Sequence, residues 1–546
     1  MKRTLQTLLC ASAFCVTVSA AAQPVAFAQQ RETWLRKAAE NMPELTETTV
    51  LPKCLVRSEK DPSAFQGWKM VRSGEMSELY DNSFKTIREA IVDFGEHLTG
   101  YFTFTVDYMN NLPADAPVRF RLTFAEVPAE LNTPFDPYPG GLSRAWLQDE
   151  IVTVMRLPET ITLSRRLACR YVKIELLAQS YFDFNIKDMR FKAVTSANGP
   201  ALPLSAGTDP MIARINEVGL TTLKECMQTV YEDGPKRDQR LWIGDLYLES
   251  LANTYSFRNH SLTRRCLYLL AALADEDGWL HATVYEYPEP KPQTGQHCMD
   301  YSLLYGVTLY EYLLATGDRE TAEELWPVVV RQIEFARTYL KDNVYDMDKK
   351  PGWWLVFDWQ DQLNRHAPMQ GLMTFAIDKS YELAKMLGRE QEVKEWPATM
   401  KAMREASRKT FYDKKAGVVV SGPDRQVSQL SQVWMILSKT LTGKEAVRAL
   451  RTALADTTAV YPGSPYAYHY LIEALLECGM NDEARDLLKS YWGGMIEKGA
   501  DTFWEVYDPK DDYKSPYNFF PINSYCHAWS CTPVYFINRY KDIFQR

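Results

Sequence analysis

The sequence predicts two unlike domains, a jelly-roll-like β-sandwich followed by an (α/α)6 toroid. Three observations predict it. Alternating apolar runs are confined to about residues 50–195, helical periodicity dominates from 211 onward, and the helical part is interrupted by irregular loops rich in aromatics and acids. At 546 residues the chain exceeds what one ordinary core organises, so a division is expected.

Residues 1–28 have the order of a secretory signal. Lys2 and Arg3 precede an apolar run from Leu8 to Val18, then the small residues "SAAAQ" and "AFAQQ", with cleavage expected after Ala22 or Ala28. Losing Lys2 and Arg3 would take the formal charge from −8 to −10. No later stretch has the roughly 18–20 apolar residues of a membrane span, so an exported protein, periplasmic or extracellular, is expected. Residues 29–195 are assigned to the sandwich. There "YFTFTVDYM" and "VRFRLTFAEV" alternate, and "IVTVMRLP", "ETITL" and "CRYVKIELL" are short runs punctuated by Pro, Gly and Asn.

Residues 196–210 lack periodicity and form the expected linker, with Asp209 placed to cap the helix that follows and Pro210 in its first turn. From 211 to 546, helical patterns recur at 211–231, 246–274, 299–316, 320–342, 369–387, 392–412, 427–440, 443–454, 465–478, 481–498 and 524–543. Short connections such as "ATGDRE" and "CGMNDE" suit antiparallel hairpins, and no fixed repeat supports an open solenoid. The irregular loops at 231–245, 279–297, 351–366 and 499–518 would then gather at one end of a closed ring.

Composition narrows the partners. With 14 Trp, 31 Tyr and 23 Phe, a negative net charge and no basic block, the chain suits carbohydrate contact and argues against nucleic acid. Eight cysteines after the signal are too scattered for a disulfide framework and are expected to be buried thiols. The seven histidines show no metal-ligand spacing, so neither a metal nor another cofactor is expected. Trp353 and Trp354 are assigned to core packing.

Two loops carry the chemistry: "DGPKRDQRLWIGD" at 233–245 and "GADTFWEVYDP" at 499–509. A carboxylate beside an aromatic wall, as Glu505 beside Trp504, suits a general acid or base, and glycoside hydrolysis commonly takes two such carboxyl groups. These strings resemble the D-C-P-x-R-D-E-R-x-G-W-x-G-D and G-A-T-T-x-W-E segments of the family 78 glycoside hydrolases, the bacterial α-L-rhamnosidases. "SYCHAWSCTPVYF" is similar to that family's S-x-C-H-x-W-S-x-x-P segment, while "VDFGEHLTGY" and "CRYVKIEL" resemble strands of its sandwich.

The resemblance implies a six-hairpin glycosidase acting on an oligosaccharide or glycoside, with inversion of a terminal α-L-rhamnosyl or similar deoxy or neutral sugar. It implies Glu505 as general base and Asp233, Arg237, Trp242, Asp358, Trp359, Trp504, His527 and Trp529 as substrate-binding residues. Gln239 stands where the family carries its acid, and an amide has no usable proton. The acid is therefore sought among Asp238, Asp245 and Glu286. Gln239 also keeps open an inactive glycan-binding protein, and Tyr231, Arg237 and His527 keep open a polysaccharide lyase or another toroid glycosidase.

Overall fold

The computed structural model describes residues 25–546 apart from 111, 113, 179–180 and 350–353. The expected signal lies almost wholly outside the described residues, as does Trp353.

Nine strands build the first domain: β1 Thr46–Val50, β2 Cys54–Lys60, β3 Trp68–Gly74, β4 Glu89–Tyr108, β5 Val118–Ala125, β6 Asp149–Val154, β7 Glu159–Thr162, β8 Leu167–Leu176 and β9 Phe184–Thr195. The long β4 organises them. Its first half pairs antiparallel with β2 and β8, and its second half with β7 and β9. One layer thus runs β3-β2-β4-β8-β5-β6 and the other β1-β9-β4-β7, with a register shift between Asp93 and Leu98 where β4 changes layers. Between them lies a phenylalanine-rich core that includes Phe94, Phe102, Phe120, Phe184 and Phe191. Alternation explains its supply: on β5, Val118, Phe120 and Leu122 are buried while Arg119 and Arg121 face out.

Among the described residues, twelve helices follow between Pro210 and Arg539. The inner six are Ile243–Thr254, Met299–Thr316, His366–Leu387, Gln429–Leu437, Pro465–Glu477 and Pro533–Arg539; the first five pack each on the next, His469 of the fifth meets Tyr535 and Phe536 of the sixth, and the sixth returns to the first. Inner and outer helices differ as burial demands. Gln429–Leu437 is buried on nearly every side, whereas the outer helix Gly443–Ala455 buries only Ala446, Ala449, Leu450 and Ala453. The single pattern at 246–274 proves to be two helices, separated at residues 255–259, where Arg258 takes a left-handed backbone conformation.

Two features depart from the expected division. Helix Arg31–Glu40 precedes the sandwich in sequence but packs against the ring helix His260–Ala272, because its apolar Trp34 and Ala38 find their burial there. The final pattern, 524–543, is broken into a 3-10 turn and two short helices, Pro533–Arg539 and Lys541–Phe544. Between β9 and the helix Pro210–Cys226 no regular element intervenes, and the Asp209 side chain accepts the N–H groups of Met211 and Ile212.

Candidate active site

The segments preceding four inner helices converge on one cavity. Asp233, Arg237, Asp238 and Trp242 come from the loop before Ile243–Thr254, and Asp245 from its first turn. Tyr301 comes from the start of Met299–Thr316, and Trp354, Val356 and Trp359 from the approach to His366–Leu387. Glu505, Tyr517, His527 and Trp529 come from the long segment before Pro533–Arg539.

Arg237 stands at the centre. Its guanidinium is buried, bonds Glu505 directly, reaches Asp238 at 3.4 Å, and anchors its Nε on the Ile522 carbonyl at 2.9 Å. Its plane also lies over the Tyr517 ring at 4.5 Å. Glu505 accepts further bonds from the Tyr517 hydroxyl at 2.5 Å and the Ser524 N–H at 3.1 Å. Burial acts to raise the Glu505 carboxyl, but Arg237, then His527, Tyr517 and the Ser524 N–H outweigh it and hold it below the usual carboxylate range.

Asp233 shapes the loop. One carboxylate oxygen accepts the Asp238 N–H at 3.0 Å and the other the Arg240 N–H at 3.3 Å, so the turn presents Asp238 to the cavity. Burial, then the neighbouring Asp238, pushes the Asp233 carboxyl well above the usual range. Asp245 faces Nε2 of His527 at 3.4 Å. Burial raises Asp245, and although burial acts to lower His527, Asp245 and Glu505 raise it overall. Trp529 donates to the Glu505 carbonyl at 3.1 Å, fixing the wall to the loop.

Several wall atoms, namely Trp242 Nε1, Trp359 Nε1 and His527 Nδ1, are buried without a hydrogen-bond partner among the described residues. Unpaired polar atoms are uncommon in a folded interior, and their grouping in the residues that line the cavity sets this wall apart.

Gln239 does not line the cavity. It sits at a φ of 61°, and its amide donates to the Pro235 carbonyl at 2.6 Å. The acidic position facing the cavity is its neighbour Asp238. Glu286 is likewise absent from the lining, its carboxylate bound to Arg265 at 2.5 Å and to the Thr229 hydroxyl at 2.6 Å. Trp504 turns away from the cavity and stacks on Phe65 of the β domain with centroids 4.1 Å apart. The Asp358 carboxylate lies behind the wall, held by the Gly463 N–H and the Ser464 hydroxyl, each at 2.6 Å, and burial pushes it up to about 6. Trp354, assigned to the core from sequence, is instead 40% exposed at the cavity mouth. Tyr517 and Tyr301 were not anticipated, although Tyr517 lies within the irregular 499–518 loop.

Residues 52–193 match the glycosyl hydrolase family 78 α-rhamnosidase N-terminal domain, and residues 206–540 match the bacterial α-L-rhamnosidase six-hairpin glycosidase domain. A rhamnosidase from Klebsiella oxytoca, solved with rhamnose bound, is 38% identical, with a TM-score of 0.90 over 93% of this chain and 99% of that one. The chain belongs to glycoside hydrolase family 78.

Other rhamnosidases share the fold at greater distance. The Bacillus sp. GL1 rhamnosidase is 19% identical with a TM-score of 0.67, covering 82% of this chain and 46% of that one. The Streptomyces avermitilis α-L-rhamnosidase, solved with L-rhamnose, is 16% identical with a TM-score of 0.62, covering 91% and 44% respectively. No curated protein sequence matches the chain. As a rhamnosidase-like glycoside hydrolase, the protein uses the sandwich and six-hairpin domains that its sequence predicted. None of its described helices is long and apolar enough to cross a membrane.

Proposed function

We propose that the protein is an exported inverting hydrolase that removes a terminal α-L-rhamnosyl or similar deoxy sugar from a glycoside. The observation that carries this reading is the single buried guanidinium of Arg237 touching both Glu505 and Asp238 at the cavity. Two carboxylates on one guanidinium keep their nearest oxygens within the roughly 9.5 Å upper limit for an inverting pair. The rhamnose bound to the Klebsiella relative supports the choice of sugar.

In this reading Asp238, the more solvent-accessible acid, donates its proton to the glycosidic oxygen as the bond to the anomeric carbon breaks. Glu505, held as a carboxylate, takes a proton from a water that attacks the same carbon from the opposite face. One water is consumed, and the products are the free sugar and the alcohol. Asp233, Asp245 and His527 serve as partners for sugar hydroxyls, and Trp242, Trp359 and Trp529 supply apolar faces for the ring.

The test is a panel of aryl glycosides with α-L-rhamnoside first, followed by NMR of the sugar as it forms. Inversion predicts that β-L-rhamnose appears before mutarotation. Early α-anomer would overturn the mechanism, and an unsaturated product absorbing in the ultraviolet would identify a lyase.

A further inference from the structure

The loop bearing Arg237 and Asp238 is fastened by the residue before them. The Lys236 ammonium is buried 2.9 Å from Glu126 and 2.7 Å from Glu130, two carboxylates of the β domain just beyond β5. Glu126 also accepts the Tyr525 N–H through Oε2 at 2.7 Å, while its Oε1 meets Nε2 of His97, on β4, at 3.1 Å. Tyr525 adjoins Ser524, whose N–H donates to the Glu505 carboxylate and whose carbonyl accepts the Glu505 N–H at 2.9 Å. One side chain of the sandwich therefore touches both loops, at Lys236, two residues before Asp238, and at Tyr525, next to the Ser524 that bonds Glu505.

We propose that Glu126 is a positioning residue, a β-domain carboxylate that sets the two catalytic loops against each other. The proposal rests on the assignment of Glu505 and Asp238 above.

Adhesion between the domains does not account for the arrangement. Buried ion pairs add little net stability over apolar packing of similar volume, because desolvation offsets their attraction. The domains also have other contacts, among them the Phe65–Trp504 stack and the Arg166–Glu232 pair at 2.6 Å. What an apolar contact cannot do is accept donors from two loops along fixed directions, and charge-assisted bonds are the short, directional ones. His97 completes the device by occupying Oε1 and leaving Oε2 to Lys236 and Tyr525. The segment "VDFGEHLTGY" thereby acquires a role at the site from within the other domain.

The experiment compares Glu126→Gln with Gln228→Ala in the full-length protein. The Glu126 amide keeps its size but loses one of the two acceptors shared by His97, Lys236 and Tyr525. Gln228 donates to the Val194 carbonyl at 2.9 Å, a buried link between the same domains that touches neither catalytic loop. On an aryl α-L-rhamnoside, Glu126→Gln is expected to lower kcat roughly 10- to 100-fold with KM nearly unchanged, the scale of a displacement of about 1 Å. Gln228→Ala should lower the melting temperature while kcat holds.

Adding Lys236→Met to Glu126→Gln takes away an ammonium left with Glu130 as its carboxylate partner, and kcat should stay low whichever way melting temperature moves. Wild-type kcat in Glu126→Gln, or kcat recovering in the double variant, would overturn the proposal. If the unmodified enzyme turns over no glycoside, the catalytic assignment fails instead. Amide hydrogen exchange across 233–240 and 522–526 then decides for Glu126. Faster exchange in Glu126→Gln than in Gln228→Ala supports positioning, and equal exchange refutes it.

Discussion

Arg237 and Glu505, 268 residues apart in the chain, form a buried ion pair at the base of the cavity. Neither side chain has solvent to fall back on, so Arg237 helps keep Glu505 ionised and Glu505 compensates the buried charge of Arg237.

Glu505→Gln keeps the shape of this pair while removing the proposed base. Turnover of an aryl α-L-rhamnoside should fall by about 10²–10⁴-fold with little change in KM, since the loss falls on proton transfer rather than binding. Steady-state kinetics checks this, and a variant with more than half of wild-type kcat would remove Glu505 from the mechanism.

Arg237→Lys replaces a planar fork with a point charge that cannot serve Glu505, Asp238 and the Ile522 carbonyl together. Because Arg237 helps hold Glu505 below its ordinary value of 4.5, the acidic limb of the rate profile should lie below that pH in the wild type. Activity is lost as pH falls through the Glu505 pKa, so weakening the pair should move this limb upward. Glu505 also stabilises the fold above the unfolded value and ceases to do so as pH falls through the folded one. The same substitution should therefore flatten the acid side of melting temperature against pH. A pH–rate series with parallel thermal melts measures both, and an unmoved limb would contradict the assigned coupling.

How far such residues were visible in the sequence depended on whether their signal was local. Glu505, Asp233, Asp238 and Trp242 stand in short strings where chemistry crowds out structure, and all of them line the cavity. Trp504 and Trp354 were misplaced in opposite directions, because an aromatic residue buries equally well in a core or against a sugar. Only the surroundings, Phe65 in one case and the cavity mouth in the other, decide. Gln239 misled because counting along a motif assumes that side chains keep their direction, and its left-handed backbone turns it onto Pro235 instead. Lys236 gave no hint of burial, since its carboxylate partners lie more than 100 positions away in another domain.

Trp354→Ala tests the cavity mouth. The ring is 40% exposed, 6.4 Å from Trp242 and 6.5 Å from Trp359 by centroid, a place where a leaving group rather than the cleaved sugar would rest. Losing one aromatic face removes about 0.5–1.5 kcal/mol, so KM for an aryl glycoside should rise roughly 2- to 10-fold with kcat preserved. Competitive inhibition by free rhamnose should stay unchanged. A matching loss of rhamnose affinity would move Trp354 from the leaving-group side to the sugar site.

Gly234→Ala tests how tightly the two catalytic loops are fitted. A Cβ there would lie 2.5 Å from the Arg237 carbonyl and 2.6 Å from the Ser524 hydroxyl, and the backbone oxygen cannot rotate away. Relief must come from parting the 233–245 loop from the segment that presents the Ser524 N–H to Glu505. Overpacking of this kind destabilises by about 1–3 kcal/mol, which thermal melts would register. Its effect on kcat should be larger than that of Gly244→Ala, whose Cβ would meet the Tyr301 ring at 2.3 Å. Both variants crowd the interior, but only the first pushes on the join between Glu505 and the Arg237 guanidinium. Equal losses of kcat in the two would show that general crowding, and not the spacing of these loops, controls the rate.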